Sequence, residues 1–260
     1  MAFRSIDFNH IARFNSATSS ELLEFYENFI DAQIAEELSQ PSSRFIAPSG
    51  LRCPRAQWFR LRGTQPDRPK SVDKTLNFTA QIGTACHRII QSNLKASLKD
   101  DWIPVREYLQ NMDIGHEYIL NEVDDGLETQ IELKDIPIRF ACDGIIRWKG
   151  NLYLVEIKSS DFGSFNDLTK PKSMHMDQIK CYSSLLKLSG VIVIYIDRQY
   201  GTLKFYEEKV SEADKTNIYK TIQDIIDCYE YNIAPDRLPS GDSWCSPSMC
   251  KFHNVCKQWG

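Results

Sequence analysis

Residues 153–160 read YLVEIKSS. Tyr, Leu, Val and Ile supply the β-branched and aromatic side chains that fill a buried, pleated surface, so the run is predicted to be a strand. Strand side chains alternate between faces, which sends Glu156 and Lys158 to one side while Val155 and Ile157 point to the other. An acid and an amine are thereby presented together by a strand that is otherwise apolar. Just upstream, RFACDGIIRW (139–148) places Asp143 at the end of a neighbouring β-run. The hairpin signal KGN (149–151) folds the two runs together, so that Asp143 and Glu156 can converge.

Working outward, three or four β-rich runs occupy about 116–158, punctuated by DDG (124–126) and KGN. A helix follows over 174–189, then the strand VIVIYID (191–197), its hairpin partner TLKFYEEKV (202–210), and a helix over 212–231 capped by Ser211 and Asp214. Before the strands, SELLEFYENFIDAQIAEEL (20–38) has helical spacing behind a serine, and SQPSSRFIAPSG (39–50) reads as a connector. A short helix spans 54–63. A longer one runs over 77–98 with Asn77 as its cap and Phe78, Ile82, Ala85, Ile89 and Leu98 along its apolar side. This order predicts an α/β (α+β) core with a mixed sheet flanked by helices over 51–260, preceded by a helical segment over 1–50.

The 260 residues carry 31 basic and 35 acidic side chains, a net charge of −4, so any polyanion site must be local. Residues 52–70, RCPRAQWFRLRGTQPDRPK, supply such a cluster: Arg52, Arg55, Arg60 and Arg62 are interleaved with Trp58 and Phe59. A solvated basic helix face is the alternative reading of that cluster. No apolar run approaches the ~18 residues of a membrane span, and the opening MAFRSIDFNHIARF lacks a signal peptide's apolar region. The expectation is an intracellular, cytoplasmic protein with no membrane partner.

Two converging carboxylates are hard oxygen ligands suited to Mg²⁺ or Mn²⁺, and an adjacent lysine can position a water and balance developing phosphate charge. An E-x-K alternation also serves as an ordinary exposed ion-pair face, so its company decides. Gly83 and His87 share a helix face four residues apart, as do Gln178 and Tyr182.

His87, Asp143, E-I-K at 156–158 and Q-x3-Y at 178–182, in that order, resemble the RecB-like branch of the PD-(D/E)xK nucleases. The resemblance covers about 50–256 and implies a restriction-endonuclease-like fold. It also implies that His87, Asp143, Glu156 and the Ile157 carbonyl bind Mg²⁺ or Mn²⁺, that Lys158 serves the attacking water, and that Gln178 and Tyr182 help hold a DNA strand. A further acid on the first strand of such sites has two candidates, Glu117 and Glu122, which alternation places on opposite faces.

Of eight cysteines, Cys86, Cys142, Cys181 and Cys228 fall in apolar segments, whereas Cys53, Cys245, Cys250 and Cys256 lie near turns and chain ends. Four such thiolates can complete a zinc site or hold a [4Fe–4S] cluster, and His253 keeps a mixed zinc site open. The one-plus-three arrangement is similar to the iron–sulfur CRISPR-adaptation exonucleases and AddB-type nucleases, although the tail here is C-x4-C-x5-C where theirs is C-x2-C-x5-C. The resemblance implies a [4Fe–4S]-stapled helical lobe, with Zn²⁺ as the alternative. The expected function is a metal-dependent DNA exonuclease acting on single-stranded DNA or DNA ends in recombination, repair or replication, with the basic 52–70 segment gripping the strand. Recombination or replication proteins and further copies of the chain are the partners considered. The competing readings are a DNA-end-binding scaffold and an RNA-processing nuclease.

Overall fold

A strand that is apolar on both faces must be covered on both, and residues 151–160 are. In the computed structural model, which describes residues 20–39, 43–67, 74–123, 128–247 and 249–259, this run is the middle strand of a five-stranded sheet. In chain order the helices and strands are α1 (Ser20–Ser39), α2 (Pro54–Leu61), α3 (Lys74–Leu98), β1 (Trp102–Ile103), α4 (Val105–Asn111), β2 (Tyr118–Val123), β3 (Glu128–Leu133) and β4 (Arg139–Cys142). They continue with β5 (Gly144–Trp148), β6 (Asn151–Ser160), α5 (Phe162–Asn166), α6 (Ser173–Leu185), β7 (Gly190–Asp197), β8 (Leu203–Lys209), α7 (Glu212–Glu230) and α8 (His253–Gln258).

The main sheet has the order β1-β5-β6-β7-β8, and β2-β3-β4 form a second, antiparallel sheet. Only β6 and β7 run parallel, a pairing that requires a crossover; α5 and α6 supply it. The result is the expected mixed sheet flanked by helices. On one face Leu154, Val193 and Tyr195 pack with Ile179 and Leu185 of α6 and Ile222 and Ile225 of α7. On the other, Val155, Ile157, Ile194 and Ile196 pack with Ile90 of α3 and with Trp102.

The β-rich region differs from one continuous meander, because the chain leaves the smaller sheet at Cys142 and enters the larger one at Gly144. A glycine is required there: a β-carbon on Gly144 would run into the Trp102 indole of the β1 strand that pairs with β5. Gly144→Ala is therefore expected to destabilise the fold by about 1–3 kcal/mol, read as a shifted midpoint in urea unfolding. An unchanged midpoint would mean that the indole moves aside freely.

Other boundaries also shift. The KGN hairpin closes through Lys149 and Gly150, both at positive φ (51° and 80°), as a two-residue turn of this kind requires. DDG lies outside the described residues. α6 stops at Leu185, short of 189, because Lys187 adopts a φ of 53° and Ser183 takes up the turn by bonding Leu188. α3 begins at Lys74, so Asn77 lies inside the helix and is not its cap. The Ser211/Asp214 capping box is present as read.

Contacts divide the chain into two units. The described part of the smaller one holds α1, whose Leu22, Phe25, Tyr26 and Phe29 are exposed. The larger unit comprises 43–67 and the described residues from 78 onward, and contains both sheets. No described helix is long and apolar enough to cross a membrane.

Candidate active site

The break between sheets positions the first acid. Asp143 stands between β4 and β5 with 6% of its surface exposed. Its Oδ1 lies 2.9 Å from His87 Nδ1, and its Oδ2 accepts from the Ile157 N–H at 2.6 Å. Gln91, one helical turn beyond His87, donates to the Asp143 carbonyl at 2.7 Å, so one face of α3 holds both ends of this residue. Gly83, also on that helix, lies against the end of β6, where a β-carbon would meet Ser159 Oγ at 3.0 Å.

Gly144 pairs with Val155, and continuing that register by one residue brings Asp143 opposite Glu156. Glu156 is 3% exposed; its Oε1 lies 2.6 Å from Lys158 Nζ and accepts from Gln178 Nε2 at 3.1 Å. Lys158 in turn donates to Gln178 Oε1 at 3.1 Å. The acid, the amine and the amide thus form a closed triangle between β6 and α6. Tyr182 is buried, stacked on Phe140 with centroids 5.0 Å apart, and its hydroxyl accepts from Gln178 at 2.9 Å. It therefore orients Gln178.

Burial pushes the Glu156 carboxyl up to about 7, outweighing the attraction of Lys158, and the Asp143 charge adds to the rise. For His87, burial acts downward, but the hydrogen bond and charge of Asp143, with Glu156 behind it, leave the imidazole above its ordinary range. Both groups bind protons more tightly in the folded chain. Their stabilising contributions are complete below the unfolded values and are lost as pH rises through the folded ones. Metal-free protein is therefore expected to lose stability between about pH 5 and 8. The Glu156 share is on the order of 3 kcal/mol from its rise above 4.5, and Glu156→Gln should flatten the slope. Urea midpoints at the two pH values check this; an equal slope in the variant would assign the effect elsewhere.

A third acid was missed in the sequence. Thr129 pairs with Cys142, so Glu128 at the start of β3 comes opposite Asp143. Burial raises its carboxyl, the Asp143 charge raises it further, and His87 opposes. The two acids read from sequence fare differently: Glu117 is exposed and paired with Lys134 at 3.4 Å, and the Glu122 side chain lies outside the described residues. Alternation along ETQIEL would have pointed to Glu128 had the β3–β4 register been known.

Among the described residues, no three His, Cys, Asp or Glu side chains gather in the arrangement of a metal site. The chemistry of the donors still suits a hard dication: Asp143 and Glu156 are buried carboxylates, the Asp143 charge close enough to make Glu156 harder to ionise, with an imidazole beside them. Each donor is engaged by a protein group that a metal would have to displace.

No family model matches the chain, and no curated protein matches it. Among solved structures, SSO0001 aligns over 92% of this chain and 98% of its own, with a TM-score of 0.52 and 19% identity. LHK-Exo, an alkaline exonuclease from Laribacter hongkongensis, aligns over 76% of this chain and 93% of its own, with a TM-score of 0.40 and 13% identity; its complex with dAMP gives 0.42 and 16%. The likeness to SSO0001 is one of fold.

A second cluster lies at the other end of the larger unit's chain. Cys53, Cys245, Cys250 and Cys256 all line one cavity of about 330 Å³, together with His253. Burial pushes Cys53 up to about 11, the Ala56 N–H opposing and the other three thiols adding to the rise, which places all four within electrostatic reach. Cys53 precedes α2, Cys245 closes a short 3₁₀ turn and Cys256 lies in α8, while Phe59 packs on Phe252 beneath them.

The basic segment behaves differently from a free DNA-gripping surface. Arg55 is 5% exposed and donates to the carbonyls of Pro235 and Trp259 at 3.0 and 3.1 Å. Arg60 donates to the Phe45 carbonyl at 2.7 Å. Arg52 is exposed but paired with Asp242 at 2.8 Å, and Arg62 bonds Asn232 and lies over the Trp58 and Trp259 rings. Trp58 and Phe59 are buried. Arg52, Arg55 and Arg62 tie the α2 region to the C-terminal segment and Arg60 ties it to the stretch before it, roles that their charge pattern in sequence could not disclose.

Proposed function

We propose that the chain is a metal-dependent deoxyribonuclease with exonuclease action on single strands or DNA ends. The single observation that carries this reading is the triangle that Lys158 and Gln178 close on the buried Glu156 carboxylate, beside the His87–Asp143 pair. Structural ion pairs are normally surface features worth ~0–1 kcal/mol, whereas this one sits among desolvated acids at a break between sheets, where it costs stability. His87, Asp143, Glu156 and the Ile157 carbonyl would hold Mg²⁺ or Mn²⁺, with Glu128 as an added acid. When bound, the ion supplies Lewis acidity toward a phosphate oxygen and acidifies water.

The chain's own residues do the rest. Gln178, fixed by Tyr182, holds Lys158 Nζ in place, and Lys158 offers its third N–H donor to a water or a phosphate oxygen. Glu156, with its carboxyl raised to about 7, can hold or release a proton at Oε2, since Oε1 already accepts from Lys158 and Gln178. The four thiols around one cavity are assigned to a [4Fe–4S] cluster, with Zn²⁺ as the alternative occupant. Its role is to staple residue 53 to the C-terminal segment, and recombination or replication proteins are the expected partners.

The test is a cleavage assay with Mg²⁺ and Mn²⁺ on labelled single-stranded DNA, duplex DNA and RNA. Metal-dependent release of nucleotides from DNA ends is expected. Tight, metal-independent DNA binding without cleavage would replace this reading with an end-binding scaffold, and preferential cleavage of RNA would replace the substrate.

A further inference from the structure

The face of α6 that carries Gln178 and Tyr182 also carries His175, at positions i, i+3 and i+7. Beneath it, Tyr195 pairs with Lys158 across the parallel β6–β7 register, so those two side chains leave the same face of the sheet. Tyr195 is 1% exposed, and its hydroxyl has two partners, the Lys172 N–H at 3.0 Å and His175 Nδ1 at 2.7 Å, with the two rings stacked at 5.8 Å.

A backbone N–H can only donate, so Lys172 occupies an acceptor position of that hydroxyl. The buried hydroxyl proton then needs an acceptor of its own, and His175 Nδ1 is the one within reach. A neutral imidazole whose Nδ1 accepts must carry its proton on Nε2. Burial, with the charges of Lys158 and Lys172, holds His175 down to about 4, which keeps the ring neutral near pH 7 and sets it close enough to the Lys158 amine to feel its charge. Among the described residues the ring has no hydrogen-bond partner besides Tyr195.

We propose that His175, fixed in one tautomer by Tyr195, is a substrate-binding residue that donates its Nε2–H to a non-bridging oxygen of the DNA backbone next to Lys158. This rests on the nuclease reading above. A neutral donor suits the position, because an imidazolium would repel Lys158, whereas a neutral N–H adds a hydrogen bond to an anion without that cost.

The test uses single-stranded oligonucleotides carrying one neutral methylphosphonate at successive linkages, with binding read by fluorescence anisotropy in EDTA and again in Ca²⁺. Wild-type protein is expected to lose about tenfold in affinity when the contacted linkage is neutralised. His175→Phe keeps the stack on Tyr195 and removes both ring nitrogens. It should bind the unmodified strand about tenfold more weakly and show a smaller penalty at that linkage, the share owed to Lys158 remaining. Tyr195→Phe, which frees the tautomer, should shrink the same penalty, and it decides the matter alone if thermal melting shows His175→Phe to be unfolded. A penalty profile identical to wild type in the folded variants overturns the proposal while leaving the nuclease reading intact. Wild-type protein that binds no oligonucleotide in either buffer overturns both.

Discussion

Lys158→Met is expected to lower the rate of DNA cleavage by about 10²–10⁴-fold while changing oligonucleotide affinity less than tenfold. Methionine keeps most of the apolar stem and removes the charge that sits 2.6 Å from Glu156 Oε1. The loss has two sources. The amine no longer reaches the water or phosphate, and Glu156, already raised by burial with Lys158 as the main force opposing the rise, becomes harder to ionise. Because both effects pass through one triangle, Glu156→Gln and the double variant should each fall near the Lys158→Met rate, far from the product of the single losses. Single-turnover assays decide it. A Lys158→Met enzyme within threefold of wild type would remove the triangle from the chemistry.

Cys250→Ser is expected to remove a broad absorption near about 400 nm from anaerobically purified protein and to lower its melting temperature by about 10–20 °C. Cys53 and Cys245 are 192 residues apart, and a crosslink that closes a loop of this size stabilises the fold by about 5 kcal/mol in the chain-entropy account. The packing of Phe59 on Phe252 and the Arg55 bonds to Pro235 and Trp259 depend on the same closure, so the loss should not stay local. Colourless wild-type protein containing one zinc per chain would keep the staple and change its metal. Wild-type protein with neither metal, melting at the same temperature as the variant, would leave the four thiols without a shared role.

The catalytic signal was legible because it is written in local periodicity. Alternation within YLVEIKSS is enough to put Glu156 and Lys158 on one face, and i, i+4 spacing is enough to align Gln178 with Tyr182. The KGN turn set the β5–β6 register, and through it the approach of Asp143 to Glu156. By contrast, Glu128 joins the acids only through the register of β3 against β4, which the connection over 134–138 sets and no spacing in the sequence discloses. The arginines of 52–62 were read as outward-facing because charge ordinarily seeks water. Arg55 instead spends its donors on two carbonyls about 180 and 204 residues away, partners that no sequence window contains.

Sequence by itself determined the order of the elements, the mixed sheet and the pairing of an acid with an amine on its middle strand, since these follow from side-chain period and turn chemistry along a few consecutive residues. Tertiary structure alone decided that Tyr182 is buried and bonded to Gln178, that Glu128 stands with Asp143, and that His175 is tied to Tyr195. Each of those outcomes depends on which distant backbone lies within about 3 Å of a side chain, and burial then fixes its charge and its hydrogen-bonding role.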